Sequence, residues 1–206
     1  MTSHGYFIAF EGGEGAGKST QVRLLAQTLR EQGREVVTTF EPGDTSVGRQ
    51  LREILLGHET GDLDHRTEAL LYAADRAEHV AQVIRPAMQR GAVCISDRYI
   101  DSSIAYQGAG RKLDPSDISR VSEWATGGLW PDLTVLLDID PAVGLTRFET
   151  PVDRLEAEPL EFHQRVRQHF LQRSENAPDR YVVIDATGAI DDVASQVLVA
   201  AKRALP

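Results

Sequence analysis

Between an apolar run, Tyr6–Phe10, and a stretch of helical periodicity, Lys18–Gln32, lies Gly12-Gly13-Glu14-Gly15-Ala16-Gly17-Lys18-Ser19. The G-x-x-x-x-G-K-S spacing between a strand and a helix leaves few folds open. Glycines let successive backbone N–H groups converge on one concavity, and the following helix aims its positive end at the same point. That arrangement is a cradle for a phosphate chain. The reading assigns it Gly12, Gly13, Glu14, Gly15, Ala16, Gly17, Lys18, Ser19 and Thr20. Lys18 would bridge the β- and γ-phosphates of ATP, and the Ser19 hydroxyl would ligate Mg²⁺.

Four further short apolar runs follow: Val36–Phe40, Ala92–Ser96, Leu133–Leu137 and Tyr181–Ile184. Helical patterns separate them. Val22, Leu24, Leu25 and Leu29 recur at helical spacing before a Gly33 stop. A long helix is predicted over about Arg66–Arg90, with Pro86 either kinking it or starting a new one. Asp114-Pro115 and Asp140-Pro141 read as helix starts, and a last helix runs over about Asp191–Leu205. Strands alternating with helices predict an α/β fold: a five-stranded parallel sheet with helices on both faces. The 206 residues suit a single domain. The charged, irregular stretch 149–159 reads as a surface flap, so a lid is placed near 147–159.

With 22 basic and 31 acidic residues the formal net charge is 22 − 31 = −9, which excludes an extended nucleic acid polymer as partner. An anionic ligand must be held by local donors. A single cysteine, Cys94, permits no intrachain disulfide. No apolar run is long enough to span a bilayer and no signal sequence is visible, so a cytoplasmic protein is expected.

The phosphate loop alone does not name the reaction. A GTPase would read guanine with Asn-Lys-x-Asp, but the sole asparagine, Asn176, precedes Ala177. Asp185-Ala186-Thr187-Gly188 has D-x-x-G spacing close to the C-terminus and is read as coincidental. A small kinase remains. Asp97-Arg98-Tyr99 follows the third strand, at the sheet edge where ligands bind in parallel α/β folds. There Asp97 can hold Mg²⁺ through water and Arg98 can clamp a phosphate. Tyr72 and Arg76, four residues apart, share a helix face and suit either a structural contact or a platform for a planar base. No general base is evident. A monophosphate acceptor needs none, because its oxygens are already anionic near neutral pH.

Several segments in this order resemble bacterial thymidylate kinases, of the nucleoside monophosphate kinase type, over nearly the whole chain. They are Phe10-Glu11-Gly12, Glu41-Pro42-Gly43, Tyr72-Ala73-Ala74-Asp75-Arg76, Asp97-Arg98-Tyr99, Ala105-Tyr106-Gln107-Gly108, Pro131-Asp132-Leu133-Thr134 and Asp153-Arg154-Leu155-Glu156. The resemblance implies ATP-dependent phosphorylation of dTMP, with Mg²⁺, in a homodimer packed through helices. It implies that Tyr72 stacks on thymine, Arg76 bonds its carbonyl edge and Ser103 contacts the far edge. Tyr106 would lie under the deoxyribose and disfavour a 2′-hydroxyl, and Glu14 would bond the 3′-hydroxyl. Arg98 would hold the acceptor phosphate, while Arg147 and Arg154 belong to the lid, Arg154 reaching the transferred group.

The family pattern Arg-Glu-Pro-Gly-Gly-Thr is here Phe40-Glu41-Pro42-Gly43-Asp44-Thr45, with Arg49 and Arg52 the nearby cations. The lid holds no basic residue between Arg147 and Arg154. A kinase for another nucleoside monophosphate, or a nucleotide-binding regulator without turnover, are the alternative readings.

Overall fold

The computed structural model describes residues 5–147 and 153–205. Five strands form one sheet: β1 (Tyr6–Glu11), β2 (Val36–Phe40), β3 (Val93–Asp97), β4 (Leu133–Asp138) and β5 (Tyr181–Asp185). Their spatial order is β2-β3-β1-β4-β5 and every pairing is parallel. Four of the strands run one residue past their apolar pattern and end on a carboxylate: Glu11, Asp97, Asp138 and Asp185. The third begins at Val93, one residue later than the apolar run suggests.

Alternation along β1 divides the core. Ile8 and Phe10 face one way, with Ile95, Val135 and Leu137, onto α1 (Lys18–Glu31) and the C-terminal helix. Phe7 and Ala9 face the other way with Cys94, onto Val80, Ile84, Ile100 and Ile104. All of these strand residues are fully buried, each large side chain contributing about 1.5–3 kcal/mol of hydrophobic stabilisation. Burial pushes the Cys94 thiol up to about 12, leaving it an inert core group.

After β2, Thr45 accepts from Gly48 N at 2.8 Å and opens α2 (Ser46–Leu56). Asp64 caps α3 (His65–His79). The long helix expected over 66–90 changes its winding along the way. It passes from α3 through a π-helical turn, Val80–Ile84, into α4 (Arg85–Gln89), with Pro86 in the first turn of α4. Proline has no N–H, so the regular ladder is interrupted at that point. Beyond β3 come α5 (Ile100–Ser103), a π-helical extension Ile104–Gly110, and α6 (Pro115–Thr126). Asp114 caps α6 through Ser116 N, and Asp140 caps α7 (Pro141–Gly144) through Ala142 N, both at 2.8 Å. Arg147 ends a short 3₁₀ turn; residues 148–152 of the expected flap lie outside the described residues. α8 (Leu160–Asn176) and α9 (Ile190–Ala204) complete the chain. Among the described residues no helix is long and apolar enough to cross a membrane.

Candidate active site

A cleft of about 1130 Å³ opens over the carboxyl ends of the strands, beside the point where the chain order reverses around β1. Gly12, at φ 140°, and Gly15, at φ 70°, turn the chain at its floor. A Cβ at Gly12 would lie 2.4 Å from the Leu137 carbonyl oxygen, and one at Gly15 would lie 2.1 Å from that of Gly144. Glycine is required at both positions by conformation and by space. Gly17 precedes α1 without any side-chain cap, so the first amides of that helix are left for an anion.

Lys18 is buried in the loop and donates to the carbonyls of Gly12 at 3.1 Å and Gly13 at 2.8 Å. Burial and nearby Arg98 pull its ammonium below the ordinary value, against Glu14, Asp97 and Glu11. Ser19 donates to Asp97 Oδ2 at 2.6 Å, joining the two residues read as the Mg²⁺ pair. Two hard oxygens at the mouth of a phosphate cradle fit a small cation that takes its other oxygens from phosphate and water. The described residues contain no group of three or more His, Cys, Asp or Glu arranged for a metal.

Arg98 stands where β3 meets the loop. Its Nη2 donates to Glu14 Oε1 at 2.7 Å, its Nη1 reaches Gly12 O at 3.3 Å and Ser102 Oγ at 3.2 Å, and it lies 5.0 Å from the Tyr106 ring centre. The Tyr106 hydroxyl donates to the same Glu14 oxygen at 2.7 Å. Burial raises the Glu14 carboxyl, but Arg98, Lys18 and Tyr106 together outweigh it and hold the group at about 2. Glu11, beneath the loop, accepts from Tyr99 N at 2.9 Å and from Ser102 N and Oγ at 3.2 and 2.5 Å. Burial first, then Asp101, raises it to about 8.

The far wall is α3 and α5. Tyr72, Arg76, Ser103 and Tyr106 all line the cleft. Arg76 is fully buried behind it: Nε donates to Glu41 Oε2 at 2.8 Å and Nη2 to Tyr99 O at 3.1 Å. The buried Ser103 hydroxyl has no hydrogen-bond partner among the described residues. An unpaired buried hydroxyl costs about 1–3 kcal/mol, and at the cleft wall this one is open to a water or a ligand atom.

The two lid arginines part company. Arg147 donates to Gly15 O at 2.7 Å and Ala186 O at 3.2 Å, over the phosphate loop. Arg154 points away, donating to Leu55 O at 3.1 Å and Glu68 Oε2 at 2.5 Å. Glu68 is fully buried and also holds Arg111 and Gln107; hydrogen bonds from both, with the charges of Arg111 and Arg154, keep its carboxyl below the usual range despite burial. Of the cations near Phe40, both exposed, Arg52 lines the cleft 5.9 Å from that ring and donates to Pro42 O at 2.7 Å, whereas Arg49 does not line it.

Sequence reasoning missed Glu41, which lines the cleft, and Glu68 and His79, which stand behind it and hold Arg154 and Glu41. A signal was present: Glu68, Tyr72, Asp75, Arg76 and His79 recur at helical spacing on α3, and all five are buried. It gave 185–190 no role in a kinase site, and Ala186, Gly188 and Ile190 line the cleft.

A parallel sheet with a phosphate loop after β1, a carboxylate–arginine pair after β3 and a base-sized wall opposite defines a P-loop phosphotransferase of the nucleotide kinase class. The sequence model of the thymidylate kinase family matches residues 10–197. The chain is 54% identical over 196 residues to the thymidylate kinase of Clavibacter sepedonicus, covering 94% of this chain and 92% of that one. It is 49% identical over 193 residues to that of Cutibacterium acnes, covering 94% of each. The crystal structure of thymidylate kinase from Ehrlichia chaffeensis superposes with a TM-score of 0.81 at 33% identity, over 96% of this chain and 98% of that one. The chain belongs to the thymidylate kinase family.

Proposed function

We propose that this enzyme transfers the γ-phosphoryl group of ATP to dTMP, giving dTDP and ADP. The observation that carries the reading is the cleft itself, where the phosphate loop faces Tyr72, Arg76, Ser103 and Tyr106 with Arg98 between them. An acceptor phosphate oxygen attacks the γ-phosphorus as the bond to the β,γ-bridging oxygen breaks. A dianionic acceptor loses no proton in this step, so the protein positions two polyanions and neutralises the charge between them.

Lys18 and the amides from Gly13 to Thr20 hold the β- and γ-phosphates. Displaced from Gly12 O and Gly13 O, the ammonium exchanges neutral carbonyls for phosphate oxygens. Arg98 holds the acceptor phosphate, with Glu14 fixing its guanidinium until the sugar 3′-hydroxyl arrives at the same carboxylate. Tyr72 stacks on thymine, Arg76 and Ser103 bond its edges, and Tyr106 closes the space a 2′-hydroxyl would need. The ATP base lies against Ala186–Ile190. Ser19 and Asp97 would hold Mg²⁺, which would supply charge neutralisation to the phosphates. Arg147 and Arg154 close from a lid near 147–159, Arg154 leaving Glu68 to do so. A single domain over 1–206, a homodimer and a cytoplasmic location complete the reading.

The test is ADP release with Mg-ATP and dTMP, dUMP, UMP, CMP, AMP or thymidine. Turnover on dTMP well above the others is expected. Nucleotide binding without turnover on any of them overturns the reading in favour of a regulator.

A further inference from the structure

We propose that Asp44, Thr39 and His79 form a positioning relay that holds Glu41, and through it Arg76, in the orientation that reads the acceptor base. This rests on the acceptor side of the function proposed above. The relay is a single line of contacts. Thr39 Oγ1 donates to Asp44 Oδ2, His79 Nε2 lies 2.5 Å from Thr39 Oγ1, and His79 Nδ1 lies 2.8 Å from Glu41 Oε1. Glu41 Oε2 then accepts from Arg76 Nε at 2.8 Å. Thr39, Glu41, Arg76 and His79 are each at most 5% exposed.

Hydrogen counting shows how tightly the line is determined. Three contacts in series, from Asp44 to Thr39 to His79 to Glu41, need three hydrogens. The hydroxyl supplies one. The ring therefore supplies two, or it supplies one and a carboxylate carries the third. In either case a proton is held between two carboxylates. With Asp44 as the acceptor, Thr39 donates outward and accepts from the ring. Asp44 thus fixes the direction of every bond inward to Glu41. Without Asp44 the hydroxyl could turn, and Glu41 would lose the constraint that aligns Arg76.

Asp44 is also the residue that replaces the glycine of the resembled pattern, and here it caps the line. Neighbouring Asp75 stands outside the line: its Oδ1 accepts from Gly43 N at 3.0 Å, and its Oδ2 has no hydrogen-bond partner among the described residues. Thr39, Glu41, Asp44 and Arg76 reach the cleft wall, whereas His79 does not line it and acts through the others.

The experiment compares Thr39→Val, which keeps shape and removes the hydroxyl, with Thr39→Ser, which keeps the hydroxyl. Steady-state kinetics are measured with dTMP and with a deoxynucleotide whose pyrimidine lacks the 4-oxygen. For T39V the dTMP KM is expected to rise about 10-fold with kcat and ATP KM changed less than about 2-fold. The 4-deoxy analogue should show little change, and T39S should restore the dTMP KM. Asp44→Ala, nearer the surface, should raise the dTMP KM in the same selective way and serves if T39V does not fold. An unchanged dTMP KM, a parallel rise in ATP KM, or an equal rise for the analogue overturns the relay while leaving the proposed reaction standing. Absence of dTMP turnover in the unaltered enzyme overturns both.

Discussion

Arg98 Nη2 and Glu14 Oε1 meet at 2.7 Å, so the residue that follows β3 is tied directly to the loop that follows β1. The tie is made from a strained backbone. Arg98 has φ 70°, a left-handed conformation that costs a non-glycine residue about 1–3 kcal/mol. It is kept there by Arg98 N donating to Phe10 O at 2.9 Å and by Ser96 Oγ donating to Arg98 O at 2.7 Å. The strain aims the guanidinium across the cleft instead of along the strand.

Replacing Arg98 with alanine is expected to lower kcat by about 100-fold or more while ATP KM moves by less than about 3-fold. Lysine at this position should recover only part of the loss, because it lacks the planar fork. Rapid-quench or steady-state kinetics with separately varied ATP and dTMP check this. Equal loss in both substrates would remove the acceptor-clamp role.

Tyr106 packs edge-on against Phe162 and Phe170, with ring centres 6.0 and 6.2 Å away, so it belongs to the core as well as to the cleft. Tyr106→Leu should lower the melting temperature and, independently, raise the UMP-to-dUMP ratio of kcat/KM. An unchanged ratio would show that the ring does not exclude the 2′-hydroxyl.

Asp75 carries a clear pH signature. Burial and the adjacent Glu41 raise its carboxyl to about 6, against His79, Gly43 N and Arg76. A carboxyl raised on folding favours the folded state most below its unfolded pKa and loses that contribution as pH rises through about 6. Asp75→Asn, which keeps an oxygen for Gly43 N, should therefore be more stable than the parent by about 1–2 kcal/mol at pH 8, and no more stable at pH 4. Denaturant melts at the two pH values decide it.

Glu68 is the buried anion shared by Arg111 and Arg154. Glu68→Ala should cost about 1–3 kcal/mol, because the Arg111 guanidinium, 9% exposed, keeps Glu158 but loses its fully buried partner. Glu68→Gln should cost less. A thermal melt within 2 °C of the parent for both variants would show that the hub contributes nothing to stability.

The phosphate loop was legible because its chemistry is set by residues adjacent in sequence, and Asp97-Arg98 because an apolar run ends immediately before them. Local spacing also revealed that Tyr72 and Arg76 share a face. It did not reveal Glu41, whose partners are 35 and 38 residues away, or the direction of Arg154, whose carboxylate partner is 86 residues away. Pro86 marked the start of α4, as one of the two readings had it, but the π-helical turn before it was not legible because hydrophobic periodicity is nearly the same on both sides. Composition marked 149–159 as irregular without indicating that Arg147 and Arg154 would point in opposite directions.

All five strands run the same way, so the molecule has a working edge and an idle one. Gly12, Glu41, Asp97, Arg147 and Ala186 come from five different segments, yet all sit on or beyond the carboxyl ends of strands. The connections at the opposite edge, 33–35, 90–92, 130–132 and 178–180, place no residue in the cleft. Sequence drift, peptide tags and short insertions should therefore be tolerated at that edge with catalysis intact. The same changes made one strand-length away would fall on the nucleotides.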